Sequence, residues 1–241
     1  MSGHSKWKNI MHKKEKTDAA KAKVFTRVGK EIAMAVREGG PDPVSNTKLR
    51  DLITKAKSLN VPNDNIKRII DKASDAGAAA YELVTYEGYG PGGVAVIVET
   101  ATDNRNRTAP EVRHAFSKFG GSLGTTGCVS FLFNEKGVIV VDNEDGDIDE
   151  EKIMEEALEA GAGDFNADEG IFEIFTEPSD FAAVCDTLAE KGYKFVSADI
   201  AKVPVTYVSL SDPEQQEQMQ KMLDMFDDND DVQNVFHNWE E

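Results

Sequence analysis

The chain has 241 residues, of which 40% are hydrophobic and 29% are charged, and its formal net charge is −17 at pH 7. This length is enough for two or three domains that each have a core. No run of 18 apolar residues occurs and the N-terminus lacks the apolar segment of a secretory signal, so we expect neither a membrane-spanning nor a secreted protein.

The charge is distributed unevenly along the chain. Residues 1–78 carry 17 basic and nine acidic side chains, whereas the remaining 163 residues carry ten basic and 35 acidic ones. Phosphates are attracted to the basic end and repelled by the acidic remainder, so the asymmetry indicates a polyanionic partner that is engaged at one end only. A solvated basic tail without a ligand is the alternative interpretation.

Residues 1–16 form a basic arm in which Trp7 lies among lysines. An aromatic ring in this setting suits stacking on an unpaired base, while lysines suit phosphates. The arm has too short an apolar stripe for a membrane surface. We therefore expect nucleic acid to be bound by the arm and the segment that follows it, through Lys6, Trp7, Lys8, His12, Lys13, Lys14, Lys16, Lys21, Lys23 and Arg27.

Three amphipathic helices are predicted after the arm. Thr17 or Asp18 caps a helix that ends at Gly39-Gly40, Ser45 or Asn46 caps the second helix, and Asn63 caps the third. Their apolar residues recur at helical spacing, and most of the outward charges are Lys or Arg. The pattern predicts a small helical module with a predominantly basic surface.

Beyond residue 80 the hydrophobic period changes from 3.6 to 2, which is typical of strands. Thr108 and Glu111 have the spacing of a capping box, so a helix is expected to begin there. Further helices are predicted at 149–160, 178–191 and 213–226. The predicted strands are 82–87, 94–100, 129–133, 138–141, 163–167, 171–176, 194–202, 205–210 and 232–236.

The order of these elements predicts two nested domains. Residues 137–203 read β-α-β-β-α-β, the split βαβ pattern of ferredoxin-like domains. Residues 94–133 joined to 205–237 read the same, with residues 81–87 as an added strand. We therefore predict an α+β fold in which an N-terminal helical module precedes two ferredoxin-like (βαββαβ) domains, one inserted in a loop of the other. The predicted domains are 1–80, 81–134 with 204–241, and 135–203.

A second basic cluster precedes the helix at Thr108. Free N–H groups and the helix dipole favour anions at a helix N-terminus, and guanidinium groups bind phosphate bidentately. Arg105, Arg107 and Arg113 are therefore candidate nucleic-acid contacts. Ion pairing with acidic neighbours explains these three residues equally well.

No constellation of catalytic or metal-binding residues is evident. Gly88–Gly93 is followed by a strand and lacks the Gly-Lys-Ser/Thr of a phosphate loop, so a glycine-rich turn is the better interpretation. The four histidines have no ligand spacing, and no Ser or Cys has the context of a nucleophile. We predict no enzyme, metal or cofactor. Cys128 and Cys185 are solitary, which indicates a protein of the reducing cytoplasm.

Six ordered motifs resemble the YebC/PmpR-type regulatory family, whose relatives include the mitochondrial translational activator of cytochrome oxidase subunit one. The motifs are Gly3–Trp7, Tyr86–Gly93, Asp103–Thr108, Val112–Gly121, Ala157–Ala162 and Asp231–Gln233, and together they span almost the whole chain.

The resemblance implies a helical domain followed by two α+β domains, and a non-enzymatic cytoplasmic protein acting in gene expression. Such proteins are described as DNA-binding transcriptional regulators, while other members resemble ribosome-associated translation factors. No membrane and no small-molecule substrate is implied. Family arms often carry arginine near Met11 and Lys13, and this chain has it at neither position. Lysine lacks the planar fork of arginine, which puts a bidentate contact there in doubt.

Overall fold

The computed structural model describes residues 18–75, 77–78, 80–168 and 170–240, and it describes no side chain for residues 18–21 or for Ser58. By contact density the chain divides into two compact units. Among the described residues, the first unit holds those up to Ser130 together with Ser211–His237. The second holds Phe131–Leu210 and the described residues after His237.

The first unit begins with three α-helices, α1 (Asp18–Gly39), α2 (Thr47–Ser58) and α3 (Asn63–Ser74). Asn46 caps α2 by accepting a hydrogen bond from the Leu49 N–H, and its amide donates to the carbonyls of Ala35 and Gly40 at 2.8 Å. The apolar stripes of the helices meet in one core, which includes Val28, Ile32, Ala35, Leu49, Ala56 and Ile66.

The same unit contains a sheet region made of β1 (Glu82–Tyr89), β2 (Ala95–Thr102), α4 (Arg105–Lys118), β3 (Ser122–Leu123), α7 (Pro213–Asp227) and β9 (Val232–His237). Its strands form a four-stranded antiparallel sheet in the order β3-β1-β2-β9. Phe116 of α4 and Phe226 of α7 meet edge to face with ring centroids 5.3 Å apart.

The second unit is made of β4 (Phe133–Asp142), α5 (Glu150–Ala160), β5 (Asp164–Asp168), β6 (Ile171–Thr176), α6 (Phe181–Glu190) and β7 (Phe195–Pro204). Its strands form a four-stranded antiparallel sheet in the order β5-β6-β4-β7. The core of this unit includes Ile139, Ile153, Ile174, Val184 and Leu188. A parallel pair of two-residue strands, β8 (Val208–Ser209) and β10 (Trp239–Glu240), completes it.

The α+β class with an N-terminal helical part is confirmed, but three details were wrong. Of the predicted strand 129–133 only Phe133 is in a strand, as the first residue of β4. The Glu87 carboxylate binds the N–H groups of Val129 and Ser130, and Ser130–Leu132 form a short 3₁₀ helix. Only two residues of 205–210 form a strand. The strand treated as an addition, β1, lies inside its sheet between β3 and β2.

The predicted start of α4 was also wrong. Asn104 is its N-cap and accepts a hydrogen bond from the Arg107 N–H at 3.2 Å, so the helix begins at Arg105. Thr108 is therefore inside the first turns rather than at the cap, and its hydroxyl donates to a buried carboxylate described below. Among the described residues, no helix is long and apolar enough to cross a membrane.

Candidate nucleic-acid interface

The whole basic arm, residues 1–16, lies outside the described residues. This applies to Lys6, Trp7, Lys8, His12, Lys13, Lys14 and Lys16. Lys21 lies in α1, where only its backbone is described. The structure therefore gives side-chain geometry for five of the thirteen candidates, which are Lys23, Arg27, Arg105, Arg107 and Arg113.

Lys23 and Arg27 lie one turn apart on α1 and both contact the C-terminal end of α7. Lys23 Nζ lies 2.6 Å from a carboxylate oxygen of Asp228 and 3.3 Å from one of Asp227. Arg27 pairs with Asp227 at 2.7 Å, and its Nε donates to the Val232 carbonyl at 3.1 Å. These two cations therefore join the N-terminal helices to the sheet region of the same unit.

A third cation of α1, Lys30, enters a buried polar network around Asp231. Asp231 is 4% exposed and Lys30 is 8% exposed. Lys30 Nζ donates to Asp231 Oδ1 at 2.8 Å and to the carbonyls of Ala101 and Asp230 at 3.0 and 2.8 Å. Every donor of the ammonium group is thus matched by an acceptor, as a buried charge requires.

The other oxygen of Asp231 is held by α4 and β2. Arg107 donates to Oδ2 from one terminal nitrogen at 2.6 Å and from Nε at 3.3 Å. The hydroxyls of Thr108 and Thr102 lie 2.7 and 3.1 Å from the same oxygen. Asp231 therefore binds α1, β2 and α4 to the turn that precedes β9.

This network sets the protonation state of its members. Burial alone would raise the pKa of Asp231, but the hydrogen bonds from Lys30, Arg107 and Thr108 outweigh it and hold the pKa far below its usual range. The hydrogen bonds to Asp231 and Asp103 raise the pKa of Arg107. Asp231 and Arg107 are therefore both charged at neutral pH.

Arg105 and Arg113 are exposed on α4, as is Arg107 with 44% of its side chain, but of the three only Arg107 is bonded to the buried Asp231. The Arg105 side chain is 63% exposed and lies 3.6 Å from the equally exposed carboxylate of Glu82. Ion pairs of this kind contribute little to stability, so the guanidinium can exchange its partner at small cost. Of the second predicted cluster, Arg105 and Arg113 face solvent while Arg107 is engaged by Asp231.

The structure also gathers a cationic surface that the candidate set did not include. A cavity of about 330 Å³ opens between α1 and α3, with Phe25 and Tyr81 among its lining residues and Arg68 and Lys72 exposed on its α3 side. This surface could have been recognised in the sequence from the spacing of Arg68 and Lys72, which lie four residues apart on the polar face of α3. The aromatic residues could not be placed without the tertiary structure, because Tyr81 lies beyond the last helix.

Glu87 and Cys185, which lie outside the Asp231 network, have pKa values shifted by their structural surroundings. Burial raises the pKa of the Glu87 carboxyl, but bonds from the N–H groups of Gly127, Val129 and Ser130 lower it by more. Burial raises the pKa of the Cys185 thiol to about 11, which is the opposite of an activated nucleophile. No group of three or more potential metal ligands occurs among the described residues.

Comparison with known proteins agrees with the resemblance seen in the motifs. Residues 5–76 match the TACO1/YebC protein N-terminal domain, and residues 81–239 match the TACO1/YebC second and third domain. A probable transcriptional regulatory protein of Acetivibrio thermocellus is 57% identical over 99% of both chains, and one of Lachnoclostridium phytofermentans is 54% identical over the full length of both. The crystal structure of a conserved hypothetical protein from Aquifex aeolicus is 42% identical, with a TM-score of 0.84 over 93% of this chain and 92% of that one. The chain belongs to the TACO1/YebC family.

Proposed function

We propose that the protein is a non-enzymatic, nucleic-acid-binding regulator of gene expression that acts on DNA as a transcriptional regulator. The relatives named above carry the description of probable transcriptional regulatory proteins. The observation that carries the binding proposal is the separation of charge, because the basic side chains are concentrated before residue 79 in an otherwise acidic chain. Such a separation orients a polyanion towards one end of the protein.

The proposed contacts come from the arm and from exposed cations of α4 and α3. The arm would bind phosphates through its lysines and stack Trp7 on a base, and Arg105 and Arg113 would add contacts from α4. Exposed cations of α3 next to the cavity, Arg68 and Lys72, would extend the same surface. The intramolecular pairs of Lys23, Arg27 and Arg107 favour a positioning role, in which they hold α1 and α4 in place.

The proposal is tested by fluorescence anisotropy of a labelled DNA duplex titrated with the full chain. Log K should fall linearly with log salt between about 50 and 200 mM, with a slope of about −0.9 for each phosphate contacted. A chain lacking residues 1–16, or with Lys13→Ala and Lys14→Ala, should bind more weakly and with a smaller slope. Lys194→Ala, an exposed lysine of the second unit, is the control and should change neither. Absence of binding to either DNA or RNA at low salt would refute the proposal.

RNA on the ribosome is the second candidate, because Trp7 among lysines suits an unpaired base better than a duplex. Single-stranded RNA of the same base sequence distinguishes the two in the same assay. Stronger binding of RNA, together with a loss of about 1–3 kcal/mol for Trp7→Ala that depends on the RNA being single-stranded, would favour a translation factor.

We also propose the finer organisation. The sheet order β5-β6-β4-β7 with two helices supports a ferredoxin-like inserted domain over 135–203, flanked by a discontinuous domain over 81–134 and 204–241, with residues 1–80 as the arm and helical module. A cytoplasmic location is part of the proposal, and the free thiols of Cys128 and Cys185 support it.

A further inference from the structure

The cavity of about 330 Å³ between α1 and α3 is lined by small residues where the two helices face each other. Gly29 and Ala33 line it from α1, and Ala73 lines it from α3. A Cβ added at Gly29 would lie 3.1 Å from Cδ1 of Ile69, so a larger residue at this position would narrow the cavity. The volume is at the lower end of the range of ligand sites and suits one small group.

Two aromatic rings line the cavity beside these small residues. Phe25 is half-buried on α1, and Tyr81, which is also half-buried, follows the three N-terminal helices. Lys30 Nζ lies 5.3 Å from the centroid of the Tyr81 ring, which is within the distance of a cation–π contact. Accessible aromatic rings are the surfaces on which proteins stack unpaired bases.

The exposed cations of the cavity have no acidic partner. Arg68 and Lys72 form no ion pair with any described residue, unlike Lys23 and Arg27 of α1, which each bind a carboxylate. All the charged side chains that line the cavity in the described part of the chain are basic, since the third is Lys30. An anionic group is therefore attracted to the opening, whereas the basic arm of the chain is repelled from it.

Asn65 adds an amide donor at the same opening. Its Oδ1 accepts a hydrogen bond from a terminal nitrogen of Arg68 at 3.0 Å, and its Nδ2 donates to no described residue. A base presents acceptors along its edge, and a phosphate oxygen can accept from the remaining N–H groups of the Arg68 guanidinium. Rings for stacking, a donor for a base edge and donors for a phosphate therefore surround one cavity.

We propose that this cavity binds one unstacked nucleotide, with its base against Phe25 and Tyr81 and its phosphate on Arg68 and Lys72. Because the nucleotide belongs to a bound strand, this site rests on the proposed function. A duplex supplies such a base only when the base is flipped out of the stack, so an unpaired strand is the better ligand. An acidic peptide shares the attraction to the cations but has no planar ring with acceptors along its edge.

The probe is a short single strand of alternating adenosine and cytidine, as DNA and as RNA, titrated into the isotope-labelled full chain. We expect the methyl resonances of Ile69 and Ala73 to shift in a saturable way. The same strand paired in a duplex should leave them unchanged. Deoxyadenosine monophosphate should shift the same resonances only at a higher concentration than the strand does, and an equal concentration would assign the site to a free nucleotide.

Two outcomes separate this site from the proposed function. If fluorescence anisotropy shows that the strand binds while the Ile69 and Ala73 methyl resonances stay in place, the nucleotide site is refuted and the proposed function stands. If no nucleic acid binds but deoxyadenosine monophosphate shifts these resonances, the proposed function is refuted and the cavity remains a nucleotide site. A larger shift with the acetylated and amidated peptide Asp-Phe-Asp would overturn the nucleotide.

Removing the two cations tests the phosphate end of the site. Arg68→Ala with Lys72→Ala should weaken binding of the single strand about tenfold and leave the urea midpoint unchanged, because neither cation has a carboxylate partner. Lys57→Ala with Lys67→Ala is the matched control, since it removes the same charge from exposed positions of α2 and α3 that do not line the cavity. An equal loss in both double variants would indicate general attraction between charges and would overturn the site.

Filling the cavity tests the base end. Ala78→Leu enlarges a residue that lines the cavity after α3, so the single strand should bind about tenfold more weakly and the methyl shifts should disappear. Ala80→Leu, an exposed alanine that does not line the cavity, is the control and should behave like the wild type. Unchanged methyl shifts in Ala78→Leu would mean that the base lies elsewhere and would overturn the proposal.

Discussion

Lys30 Nζ lies 2.8 Å from Asp231 Oδ1, although the two residues are 201 positions apart and both are almost completely buried. This pair fixes the helix that follows the arm to the strand that ends the sheet of the first unit. Breaking a buried pair leaves an uncompensated charge, which costs much more than the pair itself contributes.

Asp231→Asn should therefore destabilise the protein strongly. We expect a loss of roughly 3 kcal/mol, at the lower end of the range for buried pairs, because Lys30 keeps two carbonyl partners and the amide oxygen can still accept a bond. The measurement is urea unfolding of the full chain. Asp230→Asn, an exposed neighbour whose carbonyl alone contacts Lys30, should stay within about 0.5 kcal/mol of the wild type.

The same pair predicts how stability depends on pH. The folded pKa of Asp231 lies below its ordinary value of 3.8, so its stabilising effect is fully present above that value and is lost as the pH falls towards the folded pKa. The difference in unfolding free energy between wild type and Asp231→Asn should be constant from neutral pH to about pH 5 and shrink below about pH 4. A difference that stays constant throughout acid titration would contradict this assignment.

Gly88 should not tolerate a side chain. A Cβ added there would lie 2.5 Å from the Ser122 carbonyl oxygen and 2.9 Å from a ring carbon of Phe116. Gly88→Ala should cost about 1–3 kcal/mol, because β3 and the Phe116 ring must move. Gly163→Ala, where the nearest atom lies 3.9 Å away, is the matched control in the same unfolding assay. Equal stability of the two variants would mean that β3 moves away from the added methyl group at little cost in free energy.

Alanine substitutions of Arg105 and Arg107 should affect DNA affinity and folding stability differently. Arg105→Ala removes an exposed guanidinium, so it should weaken DNA binding and reduce the salt slope by about 0.9 while leaving stability within error. Arg107→Ala removes two bonds to a buried carboxylate and should lower the unfolding free energy by about 1–3 kcal/mol. If Arg105→Ala binds DNA like the wild type, Arg105 has no part in the interface.

Sequence patterns predicted helices and strands well where residues close in sequence decide the structure, and less well where a distant side chain intervenes. Helix α1, strand β6 and helix α7 fall within about two residues of their predicted limits, and α2 and α3 begin within two residues of their predicted starts, since apolar spacing and capping residues act over a few positions. The predicted cap of α3 was wrong, because its N-cap is Pro62 and Asn63 is its first residue. Val129–Phe133 has the composition of a strand, but the N–H groups of Val129 and Ser130 donate to the Glu87 carboxylate instead of to a neighbouring strand. Thr108 has the spacing of a cap, but its hydroxyl is taken by Asp231.

The sequence by itself determined the α+β class, the family and the concentration of basic charge at one end, because periodicity, motif order and charge counts are properties of the chain alone. Only the tertiary structure decided which basic side chains pair with carboxylates of the protein itself and which remain available to a ligand. Arg27 and Arg107 are candidate contacts by sequence and Lys30 is a further cation of α1, and folding brings each of the three to an acidic partner more than 100 residues away. Electrostatic pairing acts through space, so charges that look alike along the chain take different roles once their neighbours are fixed.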